Sequence, residues 1–170
     1  MTIAASQQRY LVQRKAEYDL TLHPHTASSH ETAQAAHISE AYIAKAVVVK
    51  DASGYVIVVI PASNSLKMDY LRHELGRDLH LATEDEVVGL FDDCEPGAVP
   101  PLGPAYGIET LLDESLTRLA DVFFEAGDHE QLVHLRGEDF QDLLSSARRG
   151  YYSISAPRDS SNDAGWSIPE

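Results

Sequence analysis

Two apolar, β-branched segments separated by a short polar turn constrain the fold of this chain most. Residues 43–49 read IAKAVVV, residues 55–60 read YVIVVI, and Asp51-Ala52-Ser53-Gly54 lies between them. Valine, isoleucine and tyrosine favour strands, and the turn supplies a glycine for a position of positive φ. A strand that is apolar on both faces must be covered on both sides. The pattern therefore predicts a central β-hairpin buried between other elements.

Helix and strand patterns surround this hairpin. Capping-box spacing at Ser28 and Glu31, and again at Thr83 and Glu86, predicts two helix starts. Further predicted elements are a helix over 6–18, a helix over 68–75 that Gly76 ends, strands over 121–126 and 131–135, and a closing helix over 140–147. We therefore expect a mixed α/β (α+β) single domain. Its central sheet is largely antiparallel, partly closed into a barrel and flanked by helices.

The length of 170 residues fits one domain that can bury a core without disulfides or metal. We divide the chain into an N-terminal helical segment (1–19), the main domain (20–150) and a tail (151–170). The tail is rich in Ser, Asn, Asp, Gly and Pro, and offers too little apolar surface to offset the entropy of ordering. We expect it to be flexible.

Charge and cysteine content restrict the partners and the compartment. Thirteen basic against 27 acidic residues give a formal net charge of −14, which opposes non-specific binding to nucleic-acid backbones, DNA included. The single Cys94 cannot form an internal disulfide, and neither a signal peptide nor a membrane-spanning run is recognisable. We predict a cytoplasmic protein that does not enter a membrane.

Lys45 lies inside the first strand of the hairpin, where an ammonium group is costly to bury. Strand alternation places it on one face with Ile43, Val47 and Val49. Two interpretations stay open at this point. The lysine extends along its stem to water, or it lies in a cavity and meets an anionic or polar ligand.

The segment Gly97-Ala98-Val99-Pro100-Pro101-Leu102-Gly103 is the second candidate for a site. Paired prolines fix φ and remove two amide donors, which stiffens the loop. The amides of Gly97, Ala98 and Val99 remain as donors that can hold a carbonyl or carboxyl oxygen. The alternative is a stiff surface connection without a ligand.

Histidines supply the third set of candidates. His129 follows Gly127-Asp128 at the turn between two predicted strands, where an imidazole either projects into a cleft or is simply solvated. His23 and His25 share one face of an extended segment. They lack a carboxylate or thiolate at ligand spacing and a motif such as H-E-x-x-H, so we predict no metal site.

Five of these segments occur together, in one order and spacing. They are 44–49, 59–62, 81–86, 97–103 and Glu125-Ala126-Gly127-Asp128-His129. Together they resemble the YbaK and prolyl-tRNA-synthetase-associated domain family over about residues 20–147. The joint occurrence of the lysine strand, the G-x-x-P-P loop and the late glycine–histidine turn makes the resemblance specific.

The resemblance implies a free-standing relative of the editing domain of bacterial prolyl-tRNA synthetases, which deacylates mischarged aminoacyl-tRNA in trans. It implies that activity requires Lys45, and that the loop from Gly97 to Pro101, with Gly103, positions the aminoacyl ester. It places Gly127 and His129 on the opposite side of the pocket. The contacts that it implies at the pocket entrance are Thr26, Ser28 and Ser29.

The implied reaction suits a site without a cofactor. An aminoacyl ester is already activated, so the protein need only exclude the wrong side chain, fix the terminal ribose and orient a water. Lys45 would supply charge near ester or phosphate oxygens, and a neighbouring ribose hydroxyl of the substrate would assist the water. Because a steric sieve rejects larger residues best, we expect a small mischarged residue: alanine, serine or threonine.

The negative net charge conflicts with broad tRNA binding. We therefore expect weak, local contact with the acceptor end of aminoacyl-tRNA, helped by a tRNA synthetase or elongation factor. The cations expected to contribute are Lys45, Lys50, Lys67, Arg72 and Arg77.

Two other functions stay open. A non-catalytic module would use the same pocket to bind an amino-acid or aminoacyl-nucleotide ligand. A metal-dependent hydrolase built on His23 and His25 would contain stoichiometric zinc or manganese.

Overall fold

The predicted hairpin forms the centre of the computed structural model, which describes residues 3–155. Around it lie five helices and eight further strands of this part of the chain. In chain order the elements are α1 (Ala5–Gln13), β1 (Asp19–Leu22), α2 (Ser29–Ala36), β2 (Ala44–Asp51), β3 (Gly54–Pro61), β4 (Asn64–Leu66), α3 (Met68–Leu75), β5 (His80–Leu81), α4 (Glu84–Leu90), β6 (Glu109–Asp113), β7 (Asp121–Glu125), β8 (Gln131–Arg136), α5 (Gly137–Leu143), β9 (Arg148–Gly150) and β10 (Ser153–Ser155). Short 3₁₀ turns span Glu40–Tyr42, Gly103–Tyr106 and Glu114–Arg118.

The hairpin is covered on both faces, as its sequence predicts. Residues 56–60 of β3 are completely buried. Ile57 and Val59 face a core that includes Phe124 and Phe140, while Val58 and its neighbours on the other face meet Leu71 of α3. The hydrophobic burial of one strand from two sides fixes where the remaining elements pack.

The central sheet has the order β5-β2-β3-β6-β9, and a second sheet has the order β1-β8-β7. The pairings of β3 with β6 and of β6 with β9 are parallel, and the other pairings, including β4 with β10, are antiparallel. The mixed, largely antiparallel α/β fold is confirmed. Within residues 3–155 the strands do not close into a barrel, and an isolated bridge from Ile43 to Phe123 joins the two larger sheets.

The predicted helix ends follow from local chemistry. The Ser28 hydroxyl accepts a hydrogen bond from the Glu31 amide, and Thr83 and Glu86 form a reciprocal capping box. Gly76 ends α3 in the left-handed region at φ 61°. The N-terminal helix ends at Gln13, earlier than residue 18, because the chain must extend into β1 to pair with β8.

Both terminal segments contact the main domain. The Ala4 amide and the Gln7 side chain donate to the Ala126 carbonyl, at 2.8 and 3.0 Å. At the other end, Tyr152 is buried and β10 pairs with β4. Residues 151–155 of the predicted tail are thus part of the fold, and residues 156–170 lie outside the described residues. Between residues 3 and 155 no helix has the length and apolar character needed to cross a membrane.

Candidate functional site

A cavity of about 340 Å³ lies beside the first half of β2. Its volume is within the range of small-molecule sites. Most of its wall is apolar, and two charged side chains, Lys45 and Glu125, contribute to the lining. The full lining comprises Ser29, Thr32, Ile43, Ala44, Lys45, Ala46, Val47, Val48, Leu81, Ala82, Val87, Gly97, Val99, Glu125 and Leu132.

Lys45 is a cavity lysine. It pairs with Ile60 across the hairpin and is half-buried. Burial lowers the pKa of its ammonium, and the charge of Glu40 offsets part of that effect. Within residues 3–155 this ammonium forms no ion pair, whereas Lys50 on the same strand bonds both carboxylate oxygens of Glu86 at 2.7 and 2.8 Å. Of the two lysines, Lys45 has the charge available to a ligand.

The proline-rich loop contributes to the cavity through Gly97 and Val99. Pro100 and Pro101 are buried and anchor the loop instead of lining the cavity. Ala98 is completely buried, and its amide already donates to the Glu95 carbonyl at 3.0 Å. The expectation of three free amides in a row is therefore wrong at Ala98, because the loop closes a turn on itself there.

Gly103 and Gly127 support the site through packing. A Cβ on Gly103 would lie 1.9 Å from the Thr110 hydroxyl oxygen, so only glycine fits there. Gly127 has φ 118°, and a Cβ would lie 3.0 Å from the Cβ of Ala4. The Gly127 carbonyl also accepts a hydrogen bond from the Glu95 amide at 2.8 Å. Neither glycine belongs to the cavity lining, and Gly127 ties the β7–β8 turn to the loop.

His129 lies behind Gly97 and is buried. Its Nε2 donates to the Pro96 carbonyl at 2.7 Å, so in the neutral ring Nδ1 carries a lone pair. This Nδ1 lies 4.0 Å from Oε1 of Glu125. His129 itself adopts φ 58°, in the left-handed region. The imidazole thus fixes the loop and presents its second nitrogen to Glu125.

The predicted entrance residues divide into one lining residue and two supports. Ser29 lines the cavity. Ser28 is exposed and caps α2. Thr26 is buried, its amide donates to the His129 carbonyl at 3.2 Å, and its hydroxyl shares a 2.6 Å hydrogen bond with Thr32. Thr32 lines the cavity, so Thr26 acts on the wall through it.

Glu125 is the site residue that the sequence patterns miss. Burial, the charge of Asp128 and, more weakly, that of Glu95 raise its pKa to about 7, although hydrogen bonds from Thr32 and the His129 amide act in the opposite direction. Its Oε2 is buried and has no hydrogen-bond partner among the described residues. The sequence signal that could have identified Glu125 is its position: it is an acidic residue at the end of an apolar strand, next to the glycine–histidine turn.

Most of the cations expected to contact tRNA have partners within the chain. Lys50 bonds Glu86, as described above. Arg77 bonds Asp51 and Glu109, each at 2.7 Å, and Arg72 bonds Asp69 at 3.0 Å. The Lys67 ammonium lies 4.3 Å from the centre of the Tyr70 ring. Of the five expected cations, Lys45 alone lines the cavity.

The histidines considered as metal ligands have other contacts. His23 Nδ1 lies 2.7 Å from the Pro24 carbonyl oxygen, and His25 Nε2 lies 2.9 Å from Glu95 Oε2. In the part of the chain that the structure describes, no three His, Cys, Asp or Glu side chains are placed to hold a metal ion together. The metal-hydrolase alternative therefore has no ligand set in this part of the chain.

The fold and the site define a mixed α/β domain with a lysine-bearing cavity, and comparison with known families identifies its type. The family model of the aminoacyl-tRNA editing domain matches residues 23–143. The chain belongs to this family. Comparison with curated proteins gives no match.

Solved structures share the fold at low sequence identity. One, described as a proposed trans-editing enzyme for prolyl-tRNA synthetase, is 24% identical, with 89% of this chain and 96% of that chain covered and a TM-score of 0.76. Hypothetical protein APE2540 is 24% identical, with coverages of 88% and 99% and a TM-score of 0.77. A proposed signal transduction protein from Marinobacter aquaeolei VT8 is 20% identical, with a TM-score of 0.73. This match covers 88% of this chain and 30% of the longer signal transduction protein.

Proposed function

We propose that this protein is a trans-editing hydrolase that deacylates mischarged tRNA carrying a small amino acid. Membership of the aminoacyl-tRNA editing family supports the reaction class. The observation that carries the proposal is that Lys45 lines one cavity with Gly97 and Val99 of the proline-anchored loop. A cation and a stiff wall thus bound the same space, which is large enough for an aminoacyl group.

The proposed reaction is hydrolysis of an ester. Water attacks the ester carbonyl, the bond to the ribose oxygen breaks, and free amino acid and tRNA leave. The Lys45 ammonium stabilises negative charge on ester or phosphate oxygens, more strongly in a partly buried site than in bulk water. The rigid loop holds the ester for attack, and a neighbouring ribose hydroxyl of the substrate assists the water.

The apolar wall supports selection of a small side chain. Ala44, Ala46, Val48 and Leu132 bound a cavity of about 340 Å³ that must also admit the ester and part of the terminal ribose. Little room remains for a bulky side chain. A steric sieve of this type excludes larger residues more effectively than it discriminates between smaller ones.

The test is deacylation of tRNAs charged with alanine, serine, threonine and proline. We expect release from at least one of the three small-residue esters. Lys45→Ala should lower kcat/KM by about 100-fold or more, on the scale of losing one electrostatic stabiliser of the transition state. Lys15→Ala is the control, because Lys15 is exposed and is not part of the cavity.

Three outcomes would overturn or change the proposal. No release from any ester would remove the deacylase assignment, and so would a Lys45→Ala variant as fast as the wild type. Binding of an aminoacyl-adenosine analogue without turnover of any ester would favour the binding module instead. Addition of a tRNA synthetase or elongation factor to the assay tests the proposed delivery partners.

A further inference from the structure

Two buried side chains beside the cavity, Glu125 and His129, each have a hydrogen-bond acceptor without a partner among the described residues. Glu125 lines the cavity, and His129 Nδ1 lies 4.0 Å from its Oε1. Within the described residues neither His129 Nδ1 nor Glu125 Oε2 has a hydrogen-bond partner. Buried polar atoms are normally paired, so an unpaired set next to a cavity points to a ligand group that donates.

Two neighbouring carboxylates, Asp128 and Glu95, have no buried oxygen without a partner. Asp128 accepts hydrogen bonds from the amides of Glu130 and Gln131, both at 2.9 Å, and from the Gln131 side chain at 2.7 Å. Glu95 pairs with His25 at 2.9 Å. Within residues 3–155, Glu130 Oε2 is also buried and unpaired, but Glu130 is not part of the cavity lining. Glu125 is therefore the carboxylate of this group that both lines the cavity and has an unpaired oxygen.

The spacing of the two side chains suits an ammonium group. A nitrogen about 2.8 Å from both His129 Nδ1 and Glu125 Oε1, which are 4.0 Å apart, can donate to both, and an ammonium keeps a third donor for the unpaired Oε2 of the same carboxylate. A carboxylate or phosphate oxygen would instead be repelled by Glu125 and would find no donor on these atoms. Binding a cation also offsets the cost of an ionised carboxylate in a buried position.

We propose that Glu125, together with Nδ1 of His129, binds the α-ammonium group of the aminoacyl moiety. The inference rests on the proposed function and adds a subsite to it. Lys45 and Glu125 then bind opposite ends of the charge distribution of the substrate: phosphate or ester oxygens at the lysine, and the amine at the glutamate. This arrangement orients the ester in the cavity and discriminates against acyl groups that lack an amine.

The experiment compares ligands that differ at the amine. Alanyl, seryl and threonyl amides of 3′-amino-3′-deoxyadenosine resist hydrolysis, and each has a counterpart with a hydroxyl in place of the α-amine. Isothermal titration at pH 7.5 measures both series. We expect the wild type to prefer the amine at least about 10-fold, as charge-assisted hydrogen bonds predict. Glu125→Gln should reduce this preference to within about twofold.

Matched variants separate charge from structure. Glu138→Gln removes an exposed carboxylate on α5 and should keep the wild-type preference. Glu125→Asp keeps the charge on a shorter side chain and should retain a measurable preference. The comparison of amine and hydroxyl ligands with the wild type alone needs no variant, so a Glu125→Gln protein that fails to fold leaves the proposal testable.

The outcomes distinguish this subsite from the deacylase activity. Equal binding of the amine and hydroxyl ligands, no binding of any ligand, or an unchanged preference in Glu125→Gln would overturn the subsite. Release of amino acid from tRNA in the separate assay would then leave the deacylase standing. A clear amine preference without release from any ester would support the subsite and remove the deacylase.

Discussion

At the scale of single residues, the carboxyl of Glu125 occupies a position that disfavours its charged form. Burial and the charges of Asp128 and Glu95 raise its pKa from the ordinary 4.5 to about 7. The folded state therefore holds this proton more tightly than the unfolded chain. The contribution of Glu125 to the free energy of unfolding falls as the pH rises from about 4.5 to about 7, and is constant above that range.

Glu125→Gln should remove this pH-dependent cost. Relative to the wild type, we expect the variant to gain up to about 3 kcal/mol in the free energy of unfolding between pH 4.5 and pH 8. Urea unfolding at pH 4.5, 6 and 8 measures the difference, with Glu138→Gln as the control. A difference between wild type and Glu125→Gln that does not change with pH would contradict the prediction.

Lys45 and Lys50 lie on one strand but should respond differently to loss of charge. Burial disfavours the Lys45 ammonium, so Lys45→Met should leave the melting temperature unchanged or raise it, while deacylation is lost. Lys50→Met removes the partner of Glu86 and should lower the melting temperature. Thermal unfolding at pH 7 compares the two variants. A marked loss of stability in Lys45→Met would show that this lysine has a structural role.

At the scale of elements, two glycines flank the short 3₁₀ turn after the proline-rich loop. A Cβ on Gly103 would lie 1.9 Å from the Thr110 hydroxyl and 3.0 Å from the Ile108 carbonyl, whereas Gly107, at φ 67°, has open space around it. Gly103→Ala should therefore cost about 2–4 kcal/mol through steric overlap. Gly107→Ala should cost about 1–2 kcal/mol through backbone strain alone. Urea unfolding of both variants measures the two losses of stability. A larger loss in Gly107→Ala than in Gly103→Ala would contradict the prediction.

Elements with strong local signals could be predicted from the sequence. The hairpin follows from β-branched residues around a turn, and α2, α3 and α4 follow from caps and apolar spacing. The short strands could not be predicted. β9 reads Arg148-Arg149-Gly150, has no apolar alternation, and is a strand because it pairs with β6. β6 in turn pairs in parallel with β3, about 50 residues earlier in the chain. Such pairings depend on the tertiary fold.

The candidate site shows the same division between local and tertiary information. Lys45 and Gly97 could be singled out because a lysine inside an apolar strand and a glycine before paired prolines are unusual locally. The acceptor role of Glu125 depends on burial and on the distance to His129, which separate segments determine together. The use of the Ala98 amide within its own turn also becomes visible only when the loop is folded.

At the scale of the whole molecule, the charge distribution limits how tRNA can be bound. The formal net charge is −14, and the ion pairs of Lys50, Arg72 and Arg77 are formed with carboxylates of the same chain. The long-range field therefore opposes the approach of a polyanion. We therefore expect attraction to come from close contacts at the cavity, with recognition confined to the aminoacyl end of the tRNA.

Local recognition predicts a weak dependence of deacylation on salt. Salt weakens phosphate contacts and at the same time screens the repulsion between protein and tRNA, so the two effects partly cancel. Between 50 and 200 mM KCl we expect kcat/KM to fall by less than about 10-fold, compared with about 10³–10⁵-fold for proteins with six to ten phosphate contacts.

An aminoacylated acceptor-stem minihelix should then be deacylated within about fivefold of the rate for full-length tRNA. A 100-fold fall with salt, or an inactive minihelix, would instead require a wide tRNA-binding surface that overcomes the net negative charge.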